Sequence, residues 1–140
     1  MMPSAIYELL AADATLQGLL GGSNRIFELQ SVDERPISNG YFVIIDMQET
    51  AMPLNPHMGP RTMQIWVHIP ADISRDYGPI STILNRIDDI LLAMENVVGL
   101  DGVRCGQIYR HSRSRNTIDP GWKTATRNAL YSVSYDEDAA

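Results

Sequence analysis

Residues 78–96 read GPISTILNRIDDILLAMEN. Ile80, Ile83, Leu84, Ile87, Leu91 and Met94 recur at the three- and four-residue spacing of one helix face, with Asn85, Arg86 and Asp89 opposite and Asp88 and Glu95 on the flank. The spacing predicts one amphipathic helix with a single buried face. Its start is marked by Asp76 ahead of Gly78 and Pro79, because proline suits a first helical turn, where its missing N–H forfeits no hydrogen bond. Gly99 stops it. Alternating segments flank this helix on both sides, so it is expected to pack across the sheet they form.

Just upstream, residues 61–69 (RTMQIWVHI) alternate strictly. Met63, Ile65, Val67 and Ile69 point to the core, and Thr62, Gln64, Trp66 and His68 point the other way. The second face sets an aromatic among polar groups, which suits a partly wet sheet face or a contact surface. Residues 41–48 (YFVIIDMQ) are rich in β-formers and nearly continuously apolar, as in a strand covered on both faces or lying at an interface. Between these strands, Pro53, Pro56 and Pro60 predict a long exposed loop over about 49–61. Further back, residues 4–12 predict a helix with Ser4 as its cap and Ile6, Leu9 and Leu10 inward. Asp13 caps a second short turn or helix that brings Leu16, Leu19 and Leu20 to the core and ends at Gly21-Gly22. Residues 25–29 (RIFEL) form a short strand candidate, followed by a polar loop.

Downstream of the helix, residues 103–110 (VRCGQIYR) and 125–135 (ATRNALYSVSY) read as strands. They are joined by a turn-rich link over about 110–123 that ends in Asp119-Pro120-Gly121. The 140 residues carry no repeat and no linker, so one domain spanning 1–140 is expected. Its predicted class is α+β: a mostly antiparallel or mixed sheet of four to five strands, with two main helices packed on one face.

Composition narrows the function. Hydrophobic residues are 44% and charged residues 20%, and no apolar run nears the roughly 18 residues of a membrane span. The opening MMPSAIYELLAADA has no basic leader, which predicts a soluble intracellular product. A net charge of −6 argues against a generic nucleic-acid coat. The charge is segregated, however. Arg104, Arg110, Arg113, Arg115, Lys123 and Arg127 fall in a stretch whose one acid is Asp119, and Asp136, Glu137 and Asp138 follow in a short acidic tail, 136–140. Such segregation can bring opposite charges together between copies in an assembly; a solvated basic hairpin accounts for it equally well.

Chemistry leaves little trace. His57, His68 and His111 lack the spacing of a ligand set and are assigned structural or solvent-facing roles. Asp88 and Asp89 point about 100° apart on a helix, so a solvated face is expected rather than a carboxylate pair. Gly21-Gly22-Ser23 has no P-loop lysine, and neither Ser112 nor Ser114 sits in a nucleophile elbow. The lone Cys105 reads as a buried strand thiol. No catalytic, cofactor or metal residue is assigned. The unusual features are the two long loops. Met52, Leu54 and Met58 in the first, and arginines with Trp122 in the second, are residue types suited to interfaces. Ordinary variable surface loops are the other reading.

The series IYELLAADATLQGLLGG, RIFEL, a proline-containing loop into YFVIIDMQET, then RTMQIWVHIPADI running into the long helix resembles the tail terminator (tail-completion, tail-to-head joining) proteins of long-tailed, non-contractile phages. The resemblance spans residues 6–135 and rests on order, spacing and length. It implies a virion protein without enzymatic activity, assembled in the host cytoplasm. It further implies a ring, with a hexamer favoured, on the head-proximal end of the tail tube, where it halts tube polymerisation and meets the head connector or neck. DNA would pass through without specific binding, and no cofactor or membrane is involved. Carried onto this chain, the interface candidates are Met52, Leu54, Met58, Arg110, Arg113, Arg115 and Trp122. A head-to-tail connector or stopper is the neighbouring assignment. From another class, a small ligand-binding or enzymatic domain would place its site between the Trp66/His68 face and the 110–123 link.

Overall fold

The computed structural model describes residues 3–48 and 58–136. Helices α1 (Ser4–Ala12) and α2 (Ala14–Leu20) lead into β1 (Ile26–Glu28) and β2 (Phe42–Gln48). Strand β3 (Met58–Pro70), helix α3 (Gly78–Leu92), and strands β4 (Val97–Val98), β5 (Arg104–Arg113), β6 (Thr117–Asp119) and β7 (Thr124–Asp136) complete the described chain. One sheet runs β1-β2-β3-β7-β5-β4, with β6 also paired to β7. β1 and β2 are parallel and the remaining pairs are antiparallel.

This corrects the expected sheet of four to five strands with two helices on one face. Among the described residues, seven strands form a mixed, strongly curled half-barrel, accompanied by three α-helices. The difference has physical causes. β4 has two residues and β6 three, too few to show alternation. β3 and β7 each run for 13 residues, long enough for strand twist to accumulate into curl. The tract expected to be loop up to residue 61 becomes strand at Met58, and the 110–123 link begins as the close of β5 and contains β6, with connections at 114–116 and 120–123.

The long helix forms as its periodicity predicts. Ile80, Ile83, Leu84, Ile87, Leu91 and Met94 are all buried, and Pro79 lies in the first turn. The helix ends at Leu92 rather than nearer Gly99. It packs across β3, β5 and β7 and against α1 and α2. The core that its buried face joins also contains Met63, Ile65, Val67, Ile69, Ala125, Ala129, Tyr131 and Val133 from the central strands and Val43, Ile45 and Met47 from β2. Burying one such side chain contributes roughly 1.5–3 kcal/mol.

Two polar ties fix the small helices. Asp13 accepts from Leu16 N at 2.8 Å, capping α2, and is gripped by Arg86 of α3, Nη2 to Oδ1 at 2.6 Å and Nε to Oδ2 at 2.9 Å. The Arg86 hydrogen bond holds the Asp13 carboxyl below its usual pKa. At the other end of α2, Gly21 takes φ 85° and donates to Gln17 O, a left-handed close that side chains disfavour. The expected Ser4 cap works differently. Ser4 N donates to Asp101 Oδ2 and Asp101 N donates back to Ser4 Oγ, tying the first turn of α1 to the β4–β5 turn. Gly99 is required there, since a Cβ would lie 2.5 Å from Ala5 N.

Candidate functional site

Two polar sites are built on opposite faces of the sheet. The first lies under α3. Asp88, expected on a solvated flank, is buried at 6% exposure and meets three partners. Tyr131 OH donates to its Oδ1 at 2.5 Å, Arg110 Nη1 donates to Oδ2 at 2.5 Å, and Arg113 Nη2 donates to the same Oδ2. Burial, then the bond to Asp88, raises the Tyr131 pKa far above its ordinary value. The arrangement depends on strand register. Arg110 pairs with Tyr131 and Arg113 with Ala129, so three residues of β5 span two of β7. The extra residue is a bulge, and it turns both arginines to the helix face. A second bulge, between Cys105 and Ile108, likewise puts both of these on the core side. Cys105 is fully buried as expected, and burial pushes its thiol up to about 11.

The second site is on the sheet face away from α3. Phe42 and His68 are cross-strand partners, and their rings stack at 4.9 Å and 9°. Trp66 lies 6.1 Å from His68, and Trp122 tilts over both Phe42 and His68 at 5.8 Å and 5.3 Å. His68 Nδ1 is 2.8 Å from Thr124 Oγ1. Burial lowers the His68 pKa to about 4, against the opposing pull of Asp119, so the ring is neutral near pH 7. Asp119 Oδ1 accepts from Gly121 N at 2.8 Å and Trp122 N at 3.2 Å, which shapes the turn that carries Trp122. Arg35 Nη1 braces the same turn by donating to Trp122 O. Between this turn and the sheet is a cavity of about 340 Å³, lined by Leu29, Ile44, Asp46, Gln64, Trp66, His68, Asp119, Gly121 and Trp122.

The interface candidates are therefore dispersed. Met52 and Leu54 lie outside the described residues. Met58 opens β3, paired with Asp136. Arg110 and Arg113 are brought together on Asp88, with side-chain exposures of 40% and 15%. Arg115 is exposed in the β5–β6 turn. Trp122 is half-buried at the cavity. Sequence reasoning missed Asp88 as the centre of the arginine cluster and Asp46 as a cavity wall. The spacing carried no signal, because residues three apart point to opposite faces of a regular strand, and only the bulge after Arg110 brings both arginines to one side. No group of three or more metal-binding side chains converges among the described residues, and no helix among them is long and apolar enough to cross a membrane.

The architecture defines a class of fold: a curled, mixed sheet with a long helix laid across it. A chain of a solved structure described as the virion of a native gene transfer agent particle has a similar fold, with a TM-score of 0.67 at 13% identity over 94% of this chain and 91% of that one. No protein-family model and no curated protein sequence matches the chain.

Proposed function

We propose that the chain is a non-enzymatic structural protein of a phage-like particle, a tail terminator that forms a ring at the head-proximal end of the tail tube. The observation that carries this reading is the fold shared, nearly end to end, with a chain of the gene transfer agent virion. The resemblance of element order to tail terminators refines it. In this role the protein stops tube growth and presents a surface to the neck. The net charge of −6 suits a channel wall that lets DNA pass without holding it.

Of the proposed contact residues, Arg115 and Trp122 are the best placed to meet a partner, with Met52 and Leu54 from the first loop and Met58 at the start of β3 as the further candidates. Arg110 and Arg113 act mainly by shaping the surface, because Asp88 already engages both. The β4 end adds exposed Val98 and Leu100, the latter 92% exposed. Among the described residues β4 ends the sheet, and its outer edge pairs with no further strand. Deleting the gene from its encoding genome tests the role by electron microscopy of the particles. Overlong tails without heads are expected. Tails of normal length that fail to join heads would replace the terminator with a connector or stopper, and unaltered particles would refute both.

A further inference from the structure

The cavity between the β6–β7 turn and the outer sheet face has a composition that selects its ligand. Its acidic walls are Asp46 and Asp119, and among the described residues no lysine or arginine lines it. His68 adds no charge near pH 7, because burial keeps it neutral. Asp46 has no hydrogen-bond or ion-pair partner among the described residues, and both turn bonds of Asp119 fall on Oδ1, leaving Oδ2 free. Gln64 commits Nε2 to Asn128 Oδ1 at 3.0 Å, so its own Oε1 remains an acceptor. The cavity thus presents acceptors and negative charge between the Trp66 and Trp122 indoles. Arg35 and Lys123 line the adjoining clefts instead.

We propose that this cavity binds a guanidinium group. A planar, weakly hydrated cation can stack on an indole face while its N–H groups reach carboxylates, whereas a small hydrated metal ion gains nothing from the aromatic walls. The volume of about 340 Å³ is at the small end of ligand sites, enough for a guanidinium on a short alkyl stem. The group can arrive on a free small molecule or on an arginine of a second copy, such as Arg115. This inference does not depend on the terminator reading.

The chain has two tryptophans, and both line the cavity, so intrinsic fluorescence reports occupancy directly. Titration with ethylguanidinium should give a saturable change, while ethylurea, its neutral counterpart of similar shape, should give none. Asp46→Asn should fold with unchanged thermal stability, since its carboxylate has no partner to lose, and should bind about fivefold more weakly. Asp119→Asn, which keeps a turn-capping side chain, should weaken binding similarly. Equal responses to ethylguanidinium and ethylurea, no saturable response, or wild-type affinity in both variants would overturn the proposal. Sedimentation with excess ethylguanidinium separates the sources. Dispersal of an assembly assigns the site to an arginine of another copy; an assembly that persists while fluorescence saturates assigns it to a free cation.

Discussion

His68 makes stability depend on pH in a calculable way. Its folded pKa is about 4 against an ordinary 6.5, and burial is the main cause. The unfolded chain therefore binds the extra proton first as pH falls, so stability rises with pH across the interval between the two values. His68's contribution is fully present above pH 6.5 and is lost progressively toward pH 4. A shift of this size corresponds to about 3 kcal/mol, with a limiting slope of about 1.4 kcal/mol per pH unit from this one group. Urea denaturation at several pH values from 7.5 down to 4.5, for the wild type and His68→Gln, isolates the effect from acids such as Asp13. The wild-type-minus-variant difference should change by about 2–3 kcal/mol in favour of the wild type at the higher pH. The variant can be less stable at every pH, because it disturbs the stack with Phe42; the pH dependence is what counts. A flat difference curve, or a proton NMR titration placing His68 near 6.5, would contradict a His68 kept neutral by burial.

The remaining predictions concern the polar ties and the helix. Tyr131→Phe removes one donor from buried Asp88 and should cost about 1–3 kcal/mol in denaturant titration. Arg113→Ala should destabilise more than Arg110→Ala, because Arg113 is the more buried partner; equal losses would contradict that ranking. For the same reason, Arg113→Glu should lower the melting temperature sharply, whereas Arg115→Glu should leave it nearly unchanged and alter only assembly. Asp13→Ala removes a helix cap together with its Arg86 partner and should cost about 1–2 kcal/mol. Ile83→Ala, at the centre of the helix's buried face, should cost about 2–5 kcal/mol.

Much of the fold is legible in the sequence where one physical signal dominates. The buried face of α3, the inward residues of β3, the Asp13 cap and the Gly21 stop all follow from local spacing and backbone preference. Strands β4 and β6 are different, because they exist only through pairing with β5 and β7. Nor does local patterning reveal curl, which builds over two long strands. The Asp88 cluster illustrates the same limit at the level of a site. Helical spacing puts Asp88 at the flank of the buried face, but a bulge after Arg110 decides that two arginines meet it there. The aromatic face was visible in part, since Trp66 and His68 share a strand face. Closure by Trp122 depends on how the β6–β7 turn folds back.

The most direct test of the terminator reading is the mass of the purified protein, by light scattering and native mass spectrometry over a concentration series, with negative-stain imaging of the largest species. Subunits of 15.6 kDa should assemble into closed rings, with six copies favoured. A monomer at every concentration, or a two-fold dimer that closes on itself, would contradict that reading.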